Sequence, residues 1–153
     1  MHKYKILFLA ALVLLLTAPV YSQTAVKLEA LMNEKAVTWT QAAAFVLEAA
    51  DIEAANAEDA FKLAAERKWL PANAKADGKA SLNGTALLLM KAFDIKGGIF
   101  YSISKSPHHA YRELVYKEVI RGTDPDANVS GPELLLMIGR ILSGIEARQA
   151  VEL

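Results

Sequence analysis

Few residues in this chain have the type and spacing that chemistry needs. Asp124-Pro125-Asp126-Ala127-Asn128 has the D-x-D-x-N spacing that opens a calcium loop. The continuation lacks the rest of that loop. Val129 stands where the sharp turn needs glycine, and Leu135 where a bidentate glutamate closes the coordination sphere. The segment therefore reads as a turn whose Asp and Asn side chains bond their own backbone. His108 and His109 are metal-ligand types, and His109 has Glu113 four residues on. Adjacent histidines on a helix point about 100° apart, so the pair does not converge on one ion. They read as a helix N-terminus. No nucleophile elbow, zinc-protease motif, phosphate loop or cysteine nucleophile is present. Glu113 and Glu118 are five residues apart and fall on different faces of one helix, which leaves no glycosidase pair. The expectation is a non-catalytic protein without cofactor or metal.

Residues that bind rather than react are easier to find. Trp39 and Trp69 can stack on sugar rings, since aromatic faces suit the apolar faces of carbohydrates. Trp69, between a helix and Pro71, also suits a core. Trp39, just after a capping residue, suits a contact surface. Lys75 and Lys79 flank Asp77 in the longest loop, and Arg112 and Arg121 are further cations that could meet an acidic polymer. Solvated surface charge is the ordinary role of all four. Tyr101, Tyr111 and Tyr116 read as core residues with wet hydroxyls.

The elements that must position these residues are helical. Alanine, leucine and charged residues favour helix along most of the chain. The pattern predicts helices from Ala25 to Glu34, from Thr38, from Ala57 to Lys68, from Ser81 to Phe93, from Ser106 to Ile120 and from Ser130 to Ala147. Thr38 with Gln41 and Ser130 with Glu133 are capping boxes, and Ser106-Pro107 is a serine cap followed by proline at the first helical position. Arg121-Gly122 reads as a glycine stop. Ile99–Ser104 fits either a short strand, and so one strand pair, or a helical turn.

Three of these stretches read as one segment written three times. Thr38–Ala50, Ser81–Phe93 and Ser130–Leu142 each open on a hydroxyl and run into an apolar helix with one late charge: Glu48, Lys91 or Arg140. Their starts are 43 residues apart, from Thr38 to Ser81, and then 49, from Ser81 to Ser130. Such a period implies a supersecondary unit that cannot bury its apolar face alone. The expected fold is all-α, with two and a half to three helix-loop-helix repeats sharing one core.

The N-terminal residues 1–22 read as a secretory signal peptide. Lys3 and Lys5 precede the apolar run Ile6–Leu16, and a cleavage site fits between Ser22 and Gln23. That run is short of the roughly 20 residues of a membrane span, so no stable insertion is expected after cleavage. Residues 23–153 are then one domain, exported to the periplasm or the cell surface. With no cysteine, its core alone must hold it. Removing Lys3 and Lys5 leaves 15 basic and 17 acidic residues. That balance gives no electrostatic footprint for nucleic acid or for anionic membranes.

Several segments are similar to an S-layer homology (SLH) repeat. They are Ser106-Pro107-His108-His109-Ala110-Tyr111-Arg112-Glu113-Leu114, Ile120-Arg121-Gly122, Asp124-Pro125-Asp126 and Ser130-Gly131-Pro132-Glu133-Leu134-Leu135. A looser copy is Asp59-Ala60-Phe61, Trp69-Leu70-Pro71, Asp77-Gly78 and Ser81, and the first copy keeps mainly Thr38–Ala50. The resemblance implies three repeats about a pseudo-threefold axis and an envelope-associated module that anchors to wall polysaccharide. It adds Glu133, the one retained glutamate of the family's Thr-Arg-Ala-Glu helix start, to Trp39, Trp69, Lys75, Arg112 and Arg121 as ligand-binding candidates. The family's arginine, which contacts anionic glycan, falls on Trp39, Leu82 and Gly131. None of these can form its charge-assisted bonds. A periplasmic structural domain, or one that binds an envelope protein, is the alternative.

Overall fold

The computed structural model describes residues 24–151, and the signal-peptide reading of 1–22 lies outside them. The chain divides after Asn33 into two compact units. The described part of the first is a single helix, α1, over residues 24–32. The second contains α2 (Trp39–Ala49), α3 (Ala57–Glu66), α4 (Leu82–Ala92), α5 (Ile99–Ser104), α6 (Pro107–Tyr116) and α7 (Gly131–Val151). The fold is all-α, and extended pairing among the described residues is limited to two isolated bridges, Thr38 with Lys79 and Ser81 with Asn128. No described helix is long and apolar enough to cross a membrane.

Helix α4 is the centre of the second unit. It packs against α2 and α6, while α2 also meets α3 and α7, and α5 lies on α6. Every residue from Gly84 to Met90 is buried. A helix that is apolar on all sides belongs inside a core, and its neighbours cover it with their apolar stripes. These include Val46 and Leu47 from α2 and Leu114 from α6, while Leu134, Met137 and Ile138 of α7, which meets α2, are buried as well.

The helix starts follow their caps. Thr38 accepts from the Gln41 amide while Gln41 Oε1 accepts from the Thr38 amide. Ser130 and Glu133 exchange the same bonds at 3.4 and 3.3 Å. Ser106 caps α6 by accepting from His109 N, with Pro107 at the first helical position.

Just before Thr38, Ser81 and Ser130 lie Val37, Ala80 and Val129, all fully buried. Val37 N donates to Val129 O at 2.8 Å, Val129 N to Ala80 O at 2.9 Å, and Ala80 N to Val37 O at 2.9 Å. Three backbone bonds thus close a ring. It satisfies the polar groups of segments that would otherwise be costly to bury. Two residues on from each, a helix-start amide is taken by a loop carbonyl: Trp39 by Gly78, Leu82 by Ala127 and Gly131 by Glu34. These bonds occupy donors that helix N-termini leave open.

The helix ends correct the sequence reading. α6 stops at Tyr116, short of Ile120, and α3 stops at Glu66. Gly122 is not the stop, since no glycine among the described residues has positive φ. The left-handed turn is made at Glu118 instead, with Asp51, Lys68 and Asp94 in the same role after α2, α3 and α4. In each case the next amide (Ile52, Trp69, Ile95, Val119) returns 2.9 Å to the carbonyl five residues back, on Leu47, Ala64, Met90 or Leu114. This is the Schellman closure, and the apolar residue after the turn folds back on the helix. Val119 and Ile120 look like helix because they are apolar, yet they are buried as that returning segment. Ile99–Ser104, open between strand and helical turn, is helix α5. α7 runs past Ala147 to Val151. Of the three tyrosines, Tyr101 and Tyr111 are buried, but Tyr116 is 84% exposed and does not belong to the core.

Candidate functional site

A cleft of about 430 Å³ lies between the loop after α3, the start of α4 and the loop before α7. Pro71, Asn73, Lys75, Gly78 and Lys79 form one wall. Ser81, Asn83 and Asp126 form the other, and Trp39 and Pro107 complete it.

Backbone bonds to helix starts hold both loops. Gly78 O and Ala76 O accept from Trp39 N at 3.0 Å and Thr40 N at 3.1 Å, and Thr40 Oγ1 also donates to Ala76 O at 2.9 Å. Ala127 O and Pro125 O accept from Leu82 N and Asn83 N at 2.9 and 2.8 Å. The Asp124–Asn128 segment is a self-bonded turn, with Asp126 N donating to Asp124 Oδ1 at 3.0 Å. The D-x-D-x-N spacing thus shapes backbone here. No group of three His, Asp or Glu side chains among the described residues could hold a metal ion.

A polar chain runs along the second wall. Ser81 Oγ donates to Asn83 Oδ1 at 2.7 Å, and Asn83 Nδ2 donates to Asp126 Oδ1 at 3.0 Å. Lys79 Nζ donates to Ala36 O at 3.0 Å, so its charge is held at one edge. Lys75 is exposed and forms no ion pair among the described residues. Trp39 is only 4% exposed, packed against Gly84 beside Pro71. The cleft therefore offers apolar indole and proline beside amide, hydroxyl, ammonium and carboxylate groups. That mixture sets hydrogen-bond donors and acceptors beside apolar surface.

The candidates named from sequence divide. Trp39 and Lys75 line the cleft together, with Lys79 beside them. Trp69 is half-buried, with the Arg67 guanidinium 4.8 Å from its ring centroid. Arg121 is exposed and lines neither cavity, and Glu133 is engaged in its capping box. Asn73, Ser81, Asn83 and Asp126 were not singled out by sequence as ligand contacts. The repeat offers one signal, because Ser81 and Asn83 stand at the start of its second copy.

Arg112 lines a second cavity of about 280 Å³, with Gly98, Ile99, Phe100, Tyr101, His109 and Glu113. His109 Nδ1 lies 2.6 Å from Ser104 Oγ and 3.0 Å from Ser106 Oγ, and its ring stacks on Phe100. Glu113 Oε2 accepts from Gly98 N at 2.9 Å, and Oε1 pairs with Lys117 at 3.3 Å. Glu113 is thus engaged on both oxygens by groups other than His109. The histidine thus joins Ser104 at the end of α5 to Ser106 at the start of α6.

Comparison with protein-family models, with curated proteins and with solved structures finds no match for this chain.

Proposed function

We propose that this chain is an exported, non-catalytic binding module that takes cell-envelope polysaccharide in the cleft beside Trp39. The observation behind this reading is the cleft's composition: an indole, two prolines, two asparagines, a serine, an aspartate and a free lysine around about 430 Å³. In the same proposal the scaffold is three degenerate SLH-like repeats about a pseudo-threefold axis. The buried ring of Val37, Ala80 and Val129 supports it, because those residues are spaced 43 and 49 apart like the hydroxyls that follow them. Recognition is by rigid loops. Both cleft walls are tied to helix starts, so little conformational entropy is lost when a glycan enters.

A second reading, a periplasmic structural or protein-binding domain, is favoured by one observation. The positions equivalent to the family's arginine are Trp39, Leu82 and Gly131, and all three are buried here. Co-sedimentation of the exported chain with wall sacculi separates the two. Binding that is lost when the sacculi are stripped of polysaccharide supports the glycan reading. Failure to bind intact sacculi sinks it in favour of a protein partner.

A further inference from the structure

Helix α5 is turned inside out. Its six residues put Tyr101 inward, 7% exposed, while Ile99, Phe100 and Ile103 stand 76%, 76% and 79% exposed. At 100° per residue these three share one outward face. Gly97-Gly98 precedes the helix, and Lys105, in the left-handed conformation, ends it. It rests on α6 as a short ridge, and Ile99 and Phe100 also line the cavity beside Arg112.

Around this helix stand Lys91, Lys105 and Arg112, against the carboxylates of Asp94 and Glu113. Both carboxylates are engaged, Asp94 by Lys96 at 2.7 Å and Glu113 by Gly98 N and Lys117. Lys91, Lys105 and Arg112 form no ion pair among the described residues. Lys91 and Lys105 are close enough to repel. After burial, the Lys105 charge is the next cause that holds Lys91 below its ordinary value, and the Asp94 carboxylate opposes it.

We propose that α5 is an interfacial anchor that dips Ile99, Phe100 and Ile103 into an anionic phospholipid surface, with Lys105 and Arg112 meeting the headgroups. Apolar side chains on a short exposed helix with a basic rim are what such a surface takes up. A second copy of the chain fits poorly, since pairing the ridges would set like charges against each other. The chain-wide charge balance conceals this patch because acids elsewhere cancel it. The proposal uses a different face from the glycan cleft and does not depend on it.

The chain has no cysteine, so one introduced thiol reports on one place. Ile103→Cys, labelled with an environment-sensitive fluorophore, is compared with Ala54→Cys, an exposed position between α2 and α3. Both full-length chains are mixed with phosphatidylglycerol-rich vesicles and with phosphatidylcholine vesicles. Any contact made by Ile6–Leu16 is common to both chains, so the difference isolates α5. The expected result is a blue shift at position 103 alone, on the anionic vesicles alone. Phe100→Ser should weaken that response roughly tenfold, and Lys105→Ala a few-fold. No shift at 103, equal shifts at 103 and 54, or equal shifts on both lipids would overturn the proposal. A shift produced only by an added envelope protein would assign the ridge to a protein partner and overturn it as well.

Discussion

Gly84 lies so close beneath Trp39 that a Cβ there would stand 2.5 Å from Cη2 of the indole and 2.6 Å from Cγ of Pro71. The indole, the proline and the cleft wall they build all depend on this missing methyl. Gly→Ala inside a helix ordinarily stabilises by about 0.5–1 kcal/mol. Here overpacking outweighs propensity, and Gly84→Ala should destabilise by about 1–3 kcal/mol. Gly139→Ala on α7, where a Cβ meets nothing within 4 Å, should show the ordinary stabilising sign. Urea unfolding of the two variants checks the contrast.

Thr85 sits beside it on α4, fully buried, and its Oγ1 has no hydrogen-bond partner. A buried hydroxyl without a partner costs about 1–3 kcal/mol of desolvation. Thr85→Val keeps the shape and removes the hydroxyl. It should raise stability by about 1 kcal/mol, visible as a higher urea midpoint with an unchanged slope.

Four Schellman turns are made by Asp51, Lys68, Asp94 and Glu118, with φ between 46° and 59°. A Cβ in the left-handed region costs roughly 1–2 kcal/mol, partly offset by glycine's greater freedom in the unfolded chain. Lys68→Gly and Glu118→Gly should each stabilise by up to about 1 kcal/mol. Glu118→Val should destabilise. Thermal unfolding of the three variants tests the assignment of the turn to these positions.

Burial, and then the Asp94 carboxylate, push the Tyr101 phenol above its ordinary value. The folded chain therefore holds that proton more tightly than the unfolded chain. The stabilisation is complete below the ordinary tyrosine value and is lost as pH rises through the higher, folded one. Lys91 works in the opposite sense, because its folded value is lowered and its penalty is relieved as pH rises. Tyr101→Phe should thus lose less stability than the parent chain across about pH 9 to 11, as measured by urea unfolding at each pH.

Much of the fold is legible along the chain, where local chemistry decides it. Thr38 with Gln41, Ser130 with Glu133, and Ser106 with Pro107 mark helix starts because a cap is a contact between near neighbours. The helix ends are less legible. Glu118 takes a left-handed turn that glycine would advertise, and Val119 and Ile120 continue the apolar pattern while the chain has already turned back. Trp39 shows the larger gap. Its burial comes from Gly84 and Pro71, residues 45 and 32 positions away, and no local pattern reports them. The cleft wall of Ser81, Asn83 and Asp126 is likewise assembled across loops, so the sequence marks Ser81 only as a helix start and Asp126 only as part of a turn. Arg112, chosen as a cation for the glycan, instead stands beside α5.

The central claim is tested most directly by NMR titration of the folded chain with solubilised wall polysaccharide. The account predicts saturable shifts of the Trp39 indole N–H and of the amides of Asn73, Gly78 and Asn83, reduced by Lys75→Ala. Unchanged spectra, or shifts confined to surfaces away from this cleft, would contradict it.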